Sequence, residues 1–167
     1  MAKLPLLVAL AATAALAQKV HLEFDEAVDF TQYRTYAIRN GRIRAKHPSL
    51  DNSLVERKIE NAIKAQIAAK GMQEAPDRPD VVITYVLGAA DKRDVDVVPA
   101  GWYGRRRRRV VTHYTQGTLV IDLRDAQKRE LIWRATCTDT AGDPNKISEH
   151  IDKDVKKAFE KYPPKKK

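Results

Sequence analysis

Cysteine is all but absent from this 167-residue chain: Cys137 stands alone, so no internal disulfide can form and the core must hold the fold unaided. The four histidines, His21, His47, His113 and His150, lie on distant segments with no HxxxH or CxxC spacing, which argues against a metal site. His113 and His21 would meet if their strands paired, but solvent-facing strand histidines are the default. No GxSxG elbow, phosphate loop or GxGxxG is present, so no cofactor is expected and no catalytic residue is assigned. Asp122 and Asp125 are a carboxylate pair in name. Their place in a polar turn predicts hairpin stabilisation, without the burial that would raise a pKa. Long apolar runs are scarce too. Leu4–Leu16 is shorter than the roughly 20 residues a helix needs to cross a bilayer, and no second run follows.

What is present at the N-terminus reads as a signal peptide. Lys3 supplies a positive start, Leu4–Leu16 the apolar segment, and Ala15-Leu16-Ala17 a small-x-small cleavage site. Cleavage after Ala17 is expected, leaving a periplasmic or secreted protein that begins at Gln18. No cysteine follows that site, so a lipid anchor is not expected, nor is a transmembrane span in the mature chain. About 150 residues remain, the size of one domain over 18–164 with a basic tail at 165–167, and a monomer is expected.

The formal charge of +9 is unevenly placed. Without Lys3 the excess is eight, and Arg105–Arg109 with Lys165–Lys167 account for all of it. A neutral domain thus carries two basic appendages. Residues 88–109 have no clean periodicity and read as a long excursion, a kind of segment that is usually functional or disordered. Within it Trp102, Tyr103, Arg105, Arg106, Arg107, Arg108 and Arg109 combine aromatic and guanidinium groups suited to phosphates or carboxylates. Export argues against nucleic acid as a partner and favours anionic lipid or polysaccharide of the envelope, or an envelope protein. The plain alternative is a solvated loop.

Periodicity supplies the rest. Val20-Leu22-Phe24 and Tyr33–Ile38 read as strands, the second running into Asn40-Gly41, which can close a tight turn. Asp51, Asn52 and Ser53 can each cap a helix whose stripe is Val55, Ile59, Ala62, Ile63 and Ile67, with Gly71 as its stop. Val81–Leu87, Val110–Leu123 and Glu130–Thr138 are further strands, with Leu131, Trp133, Ala135 and Cys137 on the inward register. Asp122 and Arg134 fall on the other face as a possible cross-strand pair. Gly117 predicts a bulge or a close approach. A last helix carries Ile147, Ile151, Val155, Ala158, Phe159 and Tyr162 and stops at Pro163-Pro164. The order ββαβββα predicts an α+β domain of two layers, a mainly antiparallel five-stranded sheet with two helices on one face.

Several spaced motifs occur together: Asp29-Phe30 with Tyr33-Arg34-Thr35-Tyr36, Lys70-Gly71-Met72, and Pro79-Asp80-Val81. Gly117 to Leu123 with Asp125, Leu131-Ile132-Trp133-Arg134, and Phe159 with Tyr162-Pro163-Pro164 follow. In this order they resemble the bacterial family known as domain of unknown function 4136. The resemblance implies export and an α+β fold in the cell envelope, where members commonly look like lipoproteins. It brings no reaction and no catalytic residues. The expected function is an exported envelope protein binding anionic components through its arginines. The alternatives are an interaction subunit of an envelope assembly or, more remotely, a hydrolase.

Overall fold

The computed structural model describes residues 19–100 and 106–164. The elements run β1 (Lys19–Phe24), a 3-10 turn (Phe30–Gln32), β2 (Thr35–Ile38), β3 (Arg42–Ala45), α1 (Ser53–Ala69) and β4 (Gln73–Glu74). After these come β5 (Val81–Ala100), β6 (Arg106–Asp125), β7 (Leu131–Ala141) and α2 (Pro144–Glu160). The expected signal segment, the basic tail, and Trp102, Tyr103 and Arg105 lie outside the described residues.

Local chemistry sets both helices. Asn52 caps α1, its side chain accepting from the N–H groups of Leu54 and Val55 at 3.0 and 3.1 Å. At the other end Gly71 takes a φ of 84°, the N–H of Met72 bonds to the carbonyl of Ile67, and that of Gly71 bonds to Ala68. This paired closure needs a left-handed residue, which glycine adopts without strain. Asp143 caps α2 ahead of Pro144, whose missing N–H costs nothing in a first turn. The apolar stripes of both helices are buried as their spacing requires.

The sheet has seven strands in the order β1-β7-β6-β5-β2-β4, with β3 also on β5. It is mixed, not a mainly antiparallel set of five. β1, β7, β6 and β5 are antiparallel neighbours, whereas β2 and β3 run parallel to β5, and β4 parallel to β2. The reason is α1. A helix between two strands of one sheet returns the chain to the end it started from, so the flanking strands must be parallel. Asn40-Gly41 accordingly makes no hairpin. β2 lies beside Val81–Ile83 and β3 beside Val86–Ala89, so the pair is a jog between two consecutive stretches along one edge of β5. Asn40 supplies a φ of 55°, and a Cβ at Gly41 would strike the Tyr85 ring.

Both helices pack on one face of the sheet. Tyr85 of β5 reaches Glu60 of α1, and Gly117 of β6 lies beneath Ile147 of α2, where a Cβ would come within 2.6 Å of Cγ2. Gly117 therefore marks a close approach. Val81, Ile83, Leu87, Leu119, Ile121 and Leu123 lie on this face and are buried. Trp133 is fully buried against Phe159, ring centroids 5.2 Å apart. Leu131 departs from the expected register. The ladder shifts between Leu123 and Arg124, leaving Leu131 37% exposed while Ile132 is buried.

Candidate functional site

The arginine run stands on a strand. β5 and β6 pair without interruption from Val81–Asp125 to Ala100–Arg106, so the segment expected to be an aperiodic excursion is a β-ribbon over its described residues. Asp94-Val95-Asp96-Val97 alternates with the period of a strand, and the partners Val110 and Val111 complete it. The alternation escapes notice because it faces no core. β3 stops at Ala89 and β7 begins its pairing at Thr115, so beyond these points the two strands continue alone as an arm. About nine residues at 3.3 Å each give it a length of roughly 30 Å.

The base of the arm is pinned. Thr115, itself buried, donates to Asp91 Oδ1 at 2.9 Å, and His47 Nε2 lies 3.0 Å from the same oxygen. These bonds, His47 first, hold the Asp91 carboxyl below the usual range. Along the arm Arg106, Arg107, Arg108 and Arg109 are exposed, opposite Ala100, Pro99, Val98 and Val97, and make no ion pair with described residues. Four unpaired guanidiniums on a paired backbone can present forked donors to phosphate or carboxylate groups.

Acidic residues elsewhere are committed to structure. At one end of the sheet Asp80 Oδ2 accepts from the N–H groups of Arg34 and Thr35, both at 2.9 Å. Asp125 Oδ1 accepts from Gln127 and Lys128 at 2.8 Å, and its Oδ2 from the Tyr33 hydroxyl at 2.9 Å. Asp125 is buried, contrary to expectation, but the backbone donors, Lys128 foremost, hold it below the carboxylate range. Burial and the neighbouring Asp125 push the Tyr33 hydroxyl up to about 12. A carboxylate so fully bonded is a poor general base. Asp122 is also buried and meets Arg134 in two bonds of 2.6 and 2.7 Å, a better-defined pair than an exposed one.

A second cluster was not anticipated from the sequence. Asp139 on β7 and His150 on α2 meet at 2.6 Å, and Asp154 lies buried on the same helix with no partner for Oδ1. Two signals could have found it. Asp139 continues the inward register of Ala135 and Cys137, and Asp154 falls on the stripe of Ile147 and Ile151. Cys137 beside it is no nucleophile, since burial pushes its thiol up to about 12. His21 pairs opposite Thr136 and His113 opposite Arg93, so those two histidines do not meet. Among the described residues no cluster of His, Cys, Asp or Glu could hold a metal ion, and no helix is long and apolar enough to cross a membrane.

The family model described as "Domain of unknown function (DUF4136)" matches residues 20–164, and the chain belongs to that family. Of the motif residues named above, Tyr33, Asp80 and Asp125 meet at one end of the sheet. No curated protein matches the sequence. Among solved structures the chain is similar to a PDZ domain protein from Parabacteroides distasonis, with TM-score 0.61 and 14% identity over 89% of this chain. The match spans only 36% of that protein. It is also similar to PelC from Paraburkholderia phytofirmans, crystallised as a dodecamer, with TM-score 0.50 and 14% identity over 86% of this chain and 95% of that one. At such identities the likeness is one of fold.

Proposed function

We propose that this member of the DUF4136 family is an exported cell-envelope protein with no reaction of its own, whose β5–β6 arm presents arginines to anionic envelope components. The single observation that carries this reading is the arm: exposed guanidiniums without ion partners among the described residues, held on paired strands outside the core. Charge that served only solubility would not need a roughly 30 Å support. The arginines and the pinned base of the arm suit binding, and the saturated carboxylates do not suit acid–base chemistry. Trp102 and Tyr103 extend the binding set in sequence, between the two strands.

The test replaces Arg105, Arg106, Arg107, Arg108 and Arg109 with Ser. The melting temperature should stay at the parental value. Sedimentation with anionic vesicles and retention on lipopolysaccharide should both fall, most clearly at low ionic strength, since screening acts over about 8–10 Å at physiological salt. Equal binding by variant and parent at every salt concentration overturns the reading. Export as a single domain beginning at Gln18 belongs to the same proposal. Intact mass of the exported protein should lack residues 1–17, and retention of Met1 or an acyl adduct would refute it.

A second reading, a subunit of an envelope assembly, is favoured by one observation. β1 is an edge strand beside a groove of about 590 Å³ that Leu22, Phe24, Lys161 and Pro163 help to line, and the similar PelC is a dodecamer. Light scattering separates the two, because the first reading expects a monomer and the second a larger closed assembly.

A further inference from the structure

The two faces of the arm differ in chemistry. Residues directly opposite in an antiparallel ladder share a face, and neighbours along a strand alternate. The face continuous with the helix-covered side of the sheet carries Arg93, Val95, Val97, Arg107, Arg109 and Val111. The opposite face carries Lys92, Asp94, Asp96, Val98, Arg106, Arg108 and Val110, so its three cations share a side with two acids. Both acids of the ribbon beyond Asp91 thus lie on one side. The other side holds three arginines and no acid, and its remaining members, Pro99 and His113, add no negative charge.

Exposed valines occur on both faces, Val98 and Val110 beside the acids and a larger set of three on the acid-free side. Val95, Val97 and Val111 are 47, 54 and 46% exposed on the acid-free face, adjoining one another across the ladder. Arg93 lies on the base side of this patch and Arg107 on the tip side, with Arg109 opposite Val97. An apolar patch bracketed by cations fits a surface that offers phosphates and an apolar layer together. A hydrated polyanion offers only the first.

Resting on the anion-binding reading above, we infer that the acid-free face of the arm docks on an anionic lipid bilayer. Val95, Val97 and Val111 enter the interfacial layer, and Arg93, Arg107 and Arg109 bind lipid phosphates in forked pairs. Asp94 and Asp96 point away from the negative surface. The arm lies flat on the membrane and does not cross it. Its two outer edges carry backbone groups with no strand partner among the described residues, and these can be satisfied by water and headgroups but not by hydrocarbon. A two-stranded ribbon with little packing of its own is marginally stable in water, so a surface that covers one face also steadies the arm.

The experiment uses the full exported chain, vesicles of phosphatidylcholine with or without phosphatidylglycerol, and dextran sulfate as a soluble polyanion. Val95→Thr/Val97→Thr/Val111→Thr keeps side-chain shape and strand preference while removing apolar contact. Val98→Thr/Val110→Thr is its control on the other face. Arg107→Ser/Arg109→Ser is set against Arg106→Ser/Arg108→Ser, which removes the same charge. All four variants should melt with the parent, because these side chains are exposed. The parent should sediment with the anionic vesicles alone. The triple valine variant and Arg107→Ser/Arg109→Ser should each bind roughly tenfold more weakly, the loss expected from a few buried methyl groups or two phosphate contacts. The other-face variants should stay within about twofold of the parent, for want of contact with the surface. Equal losses from the two arginine pairs, or parental binding by the triple valine variant, overturn the docking face and leave the anion-binding reading standing. Parental binding to dextran sulfate but not to anionic vesicles overturns the lipid assignment alone. Binding to neither overturns both.

Discussion

Replacing Asp154 with Asn should stabilise the protein at neutral pH relative to acid pH. Asp154 sits on α2 among Ile151, Val155 and Phe159, 5% exposed, and its Oδ1 has no hydrogen-bond partner. Burial pushes its carboxyl from 3.8 up to about 6, and the charge of Asp139 pushes the same way, while His150, Lys157 and Lys153 pull it down. A raised pKa means that folding favours the protonated form. Below about pH 3 the group is neutral both folded and unfolded and costs nothing. As pH rises through 6 the folded state must carry a buried carboxylate, and the stability tied to the protonated form is lost. A move from 3.8 to about 6 corresponds to about 3 kcal/mol. Asp154→Asn keeps the shape and cannot ionise. Urea unfolding of parent and variant at pH 4 and pH 7.5 gives the difference between them at each pH, which cancels groups common to both. Between these two pH values that difference should move by about 2 kcal/mol in favour of the variant as pH rises, with most of the change between pH 4 and 6. A difference that does not change with pH would refute the reasoning and place water or a counter-ion at Oδ1.

Three further outcomes follow from the core. Trp133→Ala should cost about 3–5 kcal/mol in denaturant melts, whereas Trp133→Phe should cost clearly less, because the buried indole N–H has no partner to lose. Cys137 should resist a maleimide in the native protein and react only once urea opens the core, since burial holds its thiol near 12. Gly117→Ala should destabilise by about 1–3 kcal/mol through the contact with Ile147, while Gly142→Ala, which meets open space, should leave the melting temperature nearly unchanged.

What was legible from the residues alone is what burial writes into periodicity. Ile59, Ile63 and Ile67 on α1, and Ile151, Val155 and Phe159 on α2, repeat at helical spacing because each must meet the same sheet face. The parallel pairing of β2 and β3 with β5 was equally implicit in α1 lying between them, but periodicity within a strand carries no direction, so only the connection reveals it. Leu131 failed because a ladder shift changes which residue faces inward without altering the alternation around it. The arm failed for the opposite reason. Its alternation at Asp94-Val95-Asp96-Val97 is regular, but with no core beneath it neither phase is continuously apolar, and a reading trained on burial sees disorder. Asp139 and Asp154 were hidden as charges on inward positions, where an apolar residue is the ordinary occupant.

Pairing state separates the charges that shape this molecule from those available to a partner. Asp80 and Asp125 are closed by backbone donors, Asp122 is closed by Arg134, and Asp139 meets His150, so each carboxylate is already engaged within the fold. Arg106, Arg107, Arg108 and Arg109 have no such engagement with described residues, although acids lie on the same arm at Asp94 and Asp96. Register keeps them apart. Asp94 and Asp96 stand opposite Thr112 and Val110, not opposite an arginine, so the ladder forgoes the cross-strand ion pairs that would stabilise a ribbon exposed to water. A shift of two residues along β6 would bring Asp96 opposite Arg108 with every side chain still on its own face. That the strands instead set aspartate against threonine and valine, and arginine against valine, leaves these cations without ion pairs among the described residues, which weakens the arm as an isolated element and suits it to an anionic surface.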